Sequence, residues 1–371
     1  MTIPILGWHG LNADFTDLDR YREMAAAGFT HNLSALPSIE SAVHALDVAR
    51  EAGIKQYINV GQLMTQPRDV ASQLRNHPAL AGYYIVDEPA AGQFEQLGQI
   101  VRTIRSRDRK HPSYINLFPT YAAPGSQLGT ASYQEYLDRF LQQVNVDFVS
   151  FDNYPITDKG LRADFYLNLE LVSATCRREG KPFWAFALCT AHKPYPVPTL
   201  GHLRLQQYSN LAYGAQGLQY FTYLTPPSGT WDFHDGPIET DGRQTKVYDL
   251  VRRMNTELRA VCWVFEGATI RSIGHVGATL PQGTQPYQPS GPIQQVEVTG
   301  EGAVVSHLQN QGRQFLVIVN RDHRKSAELA VRWDSAATMS SVDKGGHIGR
   351  LGGAVLERSM EAGDACILLW E

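Results

Sequence analysis

The feature that most constrains the fold is an alternation of short apolar segments with longer amphipathic ones, from residue 3 to about residue 265. The short segments are rich in β-branched and aromatic residues, as buried strands are, and the longer ones have helical periodicity. Glycines such as Gly28, Gly53, Gly180 and Gly214 stand where a helix would end before the next strand. Eight βα units result, with predicted strands Ile3–Trp8, Thr30–Leu33, Gln56–Val60, Gly82–Asp87, Ser113–Leu117, Val146–Asp152, Pro182–Leu188 and Gly217–Tyr223.

Eight βα units in roughly 260 residues have the usual size of a (β/α)8 barrel, the TIM barrel. A doubly wound sheet is the alternative, but no G-x-G-x-x-G motif follows the first strand. The last barrel helix is predicted at about Lys246–Val264.

The pattern changes after Gly267, where helical periodicity stops and short alternating segments appear between turn-forming residues. This pattern predicts an all-β sandwich. We therefore expect an α/β protein with a TIM barrel over residues 1–266 and a smaller C-terminal all-β sandwich domain over residues 267–371. The predicted sandwich strands include Ile293–Val298, Phe315–Val319, Glu328–Trp333 and Cys366–Trp370.

Composition excludes several classes of partner. The net charge is −4 and Lys and Arg form no cluster, which argues against nucleic acid and anionic membranes. No apolar run approaches the ~20 residues of a membrane span. The four cysteines lack the spacing of a disulfide framework or a zinc site, so we expect buried thiols and no cofactor. A neutral, polar substrate is favoured.

The N-terminal residues have no basic start, long apolar segment or cleavage site. They predict a cytoplasmic protein as the sequence stands, or a periplasmic or secreted one if a signal peptide has been removed. No feature of the sequence indicates an oligomeric state.

The fourth predicted strand ends in Asp87-Glu88-Pro89, and barrel active sites lie at the carboxyl ends of the strands. Cleavage of a glycosidic bond needs an acid that protonates the leaving oxygen, and a partly buried Glu can keep its proton for that purpose. Glu88 is therefore the candidate general acid, with an ion pair or a helix N-terminal carboxylate as its alternative role. Asp87 is the weaker candidate, because neighbours on a continuous strand point to opposite faces.

The sixth predicted strand ends in Asp152-Asn153-Tyr154, which supplies a carboxylate, an amide and a phenol. Asp152 is the candidate second carboxylate. Strands four and six are two apart, about 10 Å between backbones, and inward side chains would bring the carboxyls to ~5–9 Å. The alternative is that Asp152 caps the following turn.

Aromatic and amide side chains recur at other strand ends and in the loops after strands seven and eight. Sugars have an apolar CH face and a polar rim, so flat rings combined with amides suit their recognition. A self-packed aromatic loop is the alternative for the last loop, and metal-binding spacing is missing around His192 and His234, so no metal is predicted. The candidate substrate-binding residues are Trp8, His9, Asn59, Asn116, Asn153, Tyr154, Trp184, His192, Tyr220, Tyr223, Trp231, His234 and Asp235, with Asn32, Phe118 and Asp232 as further possibilities.

These segments resemble glycoside hydrolases of the clan A type, in which a (β/α)8 catalytic barrel precedes a β-sandwich. Tyr84–Pro89 is similar to the Asn-Glu-Pro of strand four in that clan, where the Glu is the acid/base. Arg204–Tyr223 resembles the approach to strand eight in β-galactosidase-like barrels. Phe315–Asp322 and Ala362–Leu368 are similar to their carboxyl-terminal domains. The resemblance implies a glycosidase with a carbohydrate substrate.

One departure from the clan concerns the nucleophile, a Glu at the end of strand seven. Here that strand reads Pro182–Thr190 and carries no carboxylate. Asp152, Asp232 or Asp235 could replace it, or the substrate could supply its own nucleophile. The adjacent Asp87 and Glu88 resemble the pair of hexosaminidases, in which Asp orients a 2-acetamido group and Glu is the acid.

The resulting hypothesis is a glycoside hydrolase that uses Glu88 and Asp152 on an oligosaccharide or glycan. Three alternatives stay open: substrate-assisted hydrolysis with Asp87 and Glu88, a catalytically silent carbohydrate-binding protein, and a metal-dependent barrel hydrolase.

Overall fold

The computed structural model describes residues 3–371. Its first part is a closed barrel of eight parallel strands, which confirms the predicted (β/α)8 architecture. Each strand pairs with the next along the chain, and the last pairs with the first. The barrel strands are β1 (Ile5–Trp8), β2 (His31–Ala35), β3 (Lys55–Asn59), β4 (Leu80–Asp87), β5 (Ser113–Leu117), β6 (Val149–Phe151), β7 (Phe183–Leu188) and β8 (Gly217–Phe221).

Helices surround the barrel, and several of them begin at residues whose side chains cap them. Asp17, Ser38 and Thr199 each accept a hydrogen bond from a backbone N–H in the first turn of their helices. At the other end, the predicted glycines have left-handed φ angles, as at Gly53 (73°) and Gly214 (93°). The helices are α1 (Leu18–Ala26), α2 (Ile39–Ala52), α3 (Gln62–Thr65), α4 (Pro67–Leu74), α5 (Phe94–Arg105), α6 (Tyr133–Gln143), α7 (Phe165–Arg178), α8 (Leu200–Ala212) and α9 (Lys246–Phe265).

The barrel interior is filled by side chains in layers. Its apolar layer contains Trp184, whose ring stacks on Phe148 at 4.4 Å. Polar side chains lie nearer the carboxyl ends of the strands, where Gln219 Nε2 donates to Ser150 Oγ at 2.9 Å. The Ser150 hydroxyl in turn donates to Asn116 Oδ1 at 2.8 Å. This chain of bonds fixes the orientation of the Asn116 amide at the strand ends.

The C-terminal part forms two antiparallel sheets with a shared apolar core, which confirms the predicted all-β sandwich. All four predicted strands are present, and five further strands were not predicted. The six-stranded sheet has the order β9-β11-β12-β17-β14-β15 and the three-stranded sheet β10-β13-β16. The strands are β9 (Thr269–Val276), β10 (Ile293–Val298), β11 (Ala303–Asn310), β12 (Arg313–Asn320), β13 (Ala327–Trp333), β14 (Ser340–Val342), β15 (Ile348–Arg350), β16 (Val355–Met360) and β17 (Ala365–Trp370).

Helix α8 lies between the barrel and the six-stranded sheet, where it contacts both β7 and β12. It is buried on almost every side, including polar residues such as Arg204. The Arg204 guanidinium donates to both oxygens of Glu257 on α9, at 3.0 and 2.7 Å, and also binds Glu361 ahead of β17. These bonds satisfy the buried cation and tie the sandwich to the barrel.

The four cysteines are free thiols, and three of them are buried. Within residues 3–371, none of the helices combines the length and apolarity that crossing a membrane requires.

Candidate active site

A cleft of about 530 Å³ opens at the carboxyl ends of the barrel strands. The ends of β1, β4, β5, β6, β7 and β8 form its floor, and the loops that follow β5 to β8 form its walls. Its lining residues are Trp8, Asp87, Glu88, Asn116, Phe118, Pro119, Tyr121, Ala122, Gln127, Asp152, Tyr154, Arg162, Phe186, His192, Pro194, Tyr195, Phe221, Trp231 and Phe233.

Asp87 and Glu88 both line this cleft. The register of β4 against β5 shifts between Tyr84 and Val86, and Glu88 has a left-handed φ of 44°. Strict alternation of side chains therefore ends before the acids are reached. Only one of the two would face the pocket if the strand were continuous, and this irregularity lets both of them face it.

Asp152 follows β6 directly and is only 8% exposed. The amide of Asn116 joins it to Asp87, since Asn116 Nδ2 donates to Asp152 Oδ1 at 3.0 Å and to Asp87 Oδ1 at 3.1 Å. The charges of Asp152 and Asp87 also act on Glu88. The carboxyls of Asp87, Glu88 and Asp152 thus form one cluster.

Burial and mutual repulsion hold protons on this cluster. Burial raises the pKa of Glu88 to about 9, and the charges of Asp152 and Asp87 add to the rise. Burial also raises the pKa of Asp152 to about 7, against the hydrogen bond from Asn116. Asp87 is exposed to the cleft. Desolvation by the residues around it nevertheless raises its pKa. At neutral pH Glu88 therefore carries a proton beside carboxyls that ionise more readily.

Aromatic rings make up much of the rest of the cleft. The Phe221 ring lies 5.5 Å from Trp8 and 5.3 Å from Tyr154, centroid to centroid. His192 packs on Phe233 at 4.6 Å, and Trp231 is 53% exposed at the rim. Such rings offer flat apolar surfaces next to the polar cluster.

A smaller pocket of about 180 Å³ lies beside the cleft, and Trp8 and Asp87 line both spaces. His9 and Asn59 line it as well, and burial lowers the pKa of His9. Asn59 Nδ2 donates to the carbonyl of Tyr84 at 3.1 Å. Asp87 therefore reaches two neighbouring spaces at once.

Several predicted binding residues lie away from both pockets because of strand direction. Trp184 points into the barrel but lies deeper, in the apolar layer. Tyr220 and Tyr223 are fully buried and pack on Phe29, with centroids 5.5 and 5.1 Å away. Their placement at the site was wrong because Tyr220 faces outward from β8, and Tyr223 comes after the strand has ended.

Other predicted residues form contacts within or between loops. Asn153 turns toward α7, where its Nδ2 donates to Asn168 Oδ1 at 3.0 Å. His234 and Asp235 bind each other at 2.8 Å and are both about half exposed, outside the cleft lining. Asp232 accepts a hydrogen bond from the Lys193 backbone at 2.9 Å, which joins the two loops. The remaining position, Asn32, is buried and bonded to Leu11 and Gln56.

Six prominent lining residues were missed: Tyr121, Arg162, Phe186, Tyr195, Phe221 and Phe233. Period-two counting from Trp184 on β7 identifies Phe186, and the same count from Gln219 on β8 identifies Phe221. Tyr121, Arg162 and Tyr195 lie in loops without regular periodicity, so the sequence contains no comparable signal for them.

Over residues 3–371 no three His, Cys, Asp or Glu side chains are grouped as a metal ion would require.

Comparison with known proteins gives a match to the Glyco_hydro_42 β-galactosidase family over residues 119–261. This region runs from the loop after β5 into α9, so it includes Asp152 but not Glu88. β-Galactosidase BgaB of Geobacillus sp. (strain Y412MC61) is 27% identical over 129 residues, covering 33% of this chain and 19% of that protein. The chain thus matches about a fifth of the length of this curated relative.

Solved structures share the fold over the whole chain at low sequence identity. β-Galactosidase from Bacillus circulans sp. alkalophilus has a TM-score of 0.65 and 10% identity, covering 100% of this chain and 99% of that one. An α-amylase from Geobacillus thermoleovorans has a TM-score of 0.59 and 9% identity, covering 100% and 98%. The expected resemblance is confirmed for a β-galactosidase-like sequence within residues 119–261 and for the fold of a barrel followed by β-sheets.

Proposed function

We propose that the chain is a glycoside hydrolase that cleaves an O-glycosidic bond in an oligosaccharide or glycan, with Glu88 as the general acid. The observation that carries this proposal is the Glu88 carboxyl, which lines an aromatic-walled cleft at the barrel strand ends. Its pKa of about 9 keeps it protonated at neutral pH, as a general acid requires. The match to a β-galactosidase family supports the same reaction class.

In the proposed reaction Glu88 gives its proton to the glycosidic oxygen as the bond to the anomeric carbon breaks. A water oxygen becomes attached to that carbon, and the proton it loses passes to a carboxylate and restores the acid. Asp152 is the proposed second carboxylate. Both carboxyls line the cleft, and the charge of Asp152 acts on Glu88.

Glu88→Gln tests the proposal because the amide keeps the shape of the side chain and cannot donate the catalytic proton. We expect kcat to fall on the order of 10²–10⁴-fold on any aryl glycoside or oligosaccharide that the wild-type chain hydrolyses. A matched control is Glu170→Gln, since Glu170 is also partly buried with a raised pKa but lies on α7, where Tyr213 donates to it.

Near wild-type hydrolysis by Glu88→Gln would contradict the role of Glu88. Turnover that Glu88→Gln abolishes excludes a catalytically silent binding protein. The panel of substrates should include β-galactosides, because the sequence relatives carry that name.

A second candidate is hydrolysis assisted by a 2-acetamido group of the substrate. Two observations favour it: Asp87 and Glu88 both face the cleft, and among the lining residues no carboxylate comes from the end of β7. The acetamido oxygen would attack the anomeric carbon while Glu88 protonates the leaving oxygen, and Asp87 would accept the acetamido N–H. Water would then open the cyclic intermediate.

Paired substrates separate the two mechanisms. The second candidate predicts turnover of an aryl 2-acetamido-2-deoxy-glycoside and little turnover of its 2-hydroxyl counterpart, with Asp87→Asn more damaging than Asp152→Asn. Faster hydrolysis of the 2-hydroxyl sugar, together with a larger effect of Asp152→Asn, is the result expected from the first mechanism.

A further inference from the structure

We propose that Arg162 binds an anionic group carried by the sugar, a carboxylate or a sulfate ester, so that this site prefers acidic saccharides. The inference rests on the proposed function for its setting and extends it to the class of substrate. It differs from the expectation of a neutral substrate, which rested on the overall charge of the chain and on the lack of a Lys and Arg cluster.

Arg162 reaches the cleft through the loop after β6. A two-residue ribbon pairs Ile156–Thr157 with Gly160–Leu161, and Arg162 follows it, with its backbone N–H donating to the Pro155 carbonyl at 2.7 Å. The ribbon is held to the loop after β7 by a bond of 2.9 Å from the Asp158 N–H to the Pro194 carbonyl. The arginine is thus anchored at its backbone and lines the cleft wall.

Two tyrosine rings hold the guanidinium in place. Its central carbon lies 4.4 Å from the centroid of Tyr121 and 5.8 Å from that of Tyr195. Arg162 Nη2 donates to the Tyr195 hydroxyl at 3.1 Å, while Nε is buried without a hydrogen-bond partner. The rings fix the position of the cation and leave part of its donor set unused.

No carboxylate neutralises this cation within the part of the chain that the structure describes, since none lies within 4.0 Å of its nitrogens. Asp164 is the acid that acts on it electrostatically, but Asp164 accepts a bond of 2.6 Å from the Thr120 hydroxyl. The buried Arg204 differs, because Glu257 and Glu361 pair with it. A half-buried guanidinium with free donors suits an oxyanion, whose oxygens match its planar geometry.

Arg162 lines the same cleft as Glu88 and Asp152, so an anionic group bound to it would belong to a sugar in the proposed active site. Arg162, Tyr121 and Asp152 line the same cleft, and the Arg162 guanidinium lies over the Tyr121 ring. A neutral sugar needs only the aromatic surfaces and amides of the cleft. An acidic sugar would in addition gain the attraction between its anionic group and Arg162.

The test measures binding to the Glu88→Gln chain by titration calorimetry, because this variant should bind sugars without appreciable turnover. The probes are glucuronate and galacturonate for the carboxylate, glucose 6-sulfate and galactose 6-sulfate for the sulfate, and glucose and galactose as neutral references. We expect at least one acidic probe to bind about tenfold tighter than its neutral counterpart. Adding Arg162→Gln should remove that preference, and Arg162→Lys should retain part of it.

The surface arginine Arg68 on α4 provides the matched control, because Arg68→Gln removes the same charge from an exposed position. Thermal unfolding checks that each variant is folded, and Arg162→Lys replaces Arg162→Gln if the latter is not. Equal binding of acidic and neutral probes, absence of binding by all of them, or equal loss of both kinds in Arg162→Gln would overturn the inference. Failure of the wild-type chain to hydrolyse any glycoside would overturn the proposed function alone, because the binding readout does not depend on turnover.

Discussion

At the residue scale, the chemistry of the site depends on one amide that serves two carboxylates. Asn116 donates to Asp87 and to Asp152 and is itself oriented by Ser150. Because both bonds favour the ionised acid, Asn116 lowers the pKa of each carboxyl against the opposing effect of burial. The same residue therefore positions the cluster and tunes its protonation.

This role predicts a shift in the pH–rate profile of Asn116→Ala. The proposed reaction needs an ionised Asp152 and a protonated Glu88, so kcat/KM should have limbs near the pKa values of about 7 and about 9. The limbs belong to the coupled cluster as a whole. Loss of the amide should raise the pKa of Asp152 and move the low-pH limb upward, which narrows the profile.

Asn153→Ala is the matched comparison, since Asn153 follows the neighbouring strand but bonds to Asn168 away from the cleft. It should leave both limbs in place while lowering thermal stability. A low-pH limb that stays unchanged in Asn116→Ala would contradict the tuning role.

At the scale of secondary-structure elements, the end of α9 is completed by the sandwich. Asn310, the last residue of β11, directs its Nδ2 at the carbonyls of Trp263, Val264 and Glu266, at 2.9, 3.2 and 2.9 Å. The last carbonyls of a helix lack partners within it, so a donor from another element satisfies them. The final barrel helix is thus terminated by a residue of the second domain.

We expect Asn310→Ala to lower the free energy of unfolding by about 1–3 kcal/mol, because it removes a donor from buried and partly buried carbonyls at the helix end. Asn310→Asp should cost more, since its carboxylate faces the negative end of the helix dipole. Urea denaturation measures both changes. Asn320→Ala is a useful comparison, because Asn320 also donates to two carbonyls, of Lys325 and Glu361, but caps no helix. A more stable Asn310→Asp than Asn310→Ala would contradict the capping account.

At the scale of the whole molecule, the acidic cluster couples stability to pH. The folded pKa values of Glu88 and Asp152, about 9 and about 7, lie above their ordinary values of 4.5 and 3.8. The unfolded chain therefore releases these protons more readily. The contribution of the cluster to stability is complete below the ordinary values and is lost as the pH rises through about 7 and then about 9.

Wild-type stability should accordingly fall between about pH 5 and about pH 9, and Glu88→Gln should fall less steeply, because the amide does not ionise. At the upper end of this range the variant should be more stable than the wild-type chain, although its kcat is expected to be lower. Urea unfolding at several pH values tests this. Parallel curves for the two chains would rule out the linkage.

The architecture could be predicted from the sequence because its signals are local. Helical and strand periodicities, together with glycines such as Gly53 and Gly214 at helix ends, depend on neighbours along the chain. They were sufficient for eight βα units and a following β-sandwich. The end of β4 as the place of the acids follows from the same reasoning, since barrel sites lie at the carboxyl ends of the strands.

The arrangement within the site was decided by tertiary structure. A register shift in β4 and the left-handed φ of Glu88 turn Asp87 and Glu88 into the same cleft, and these depend on pairing with β5. Arg162 enters the cleft because a ribbon in one loop is bonded to another loop. The sequence by itself therefore determined the fold and the strands that carry the acids. Contacts between distant segments decided which side chains meet. These contacts could not be predicted, because loop sequences lack the regular periodicity of helices and strands.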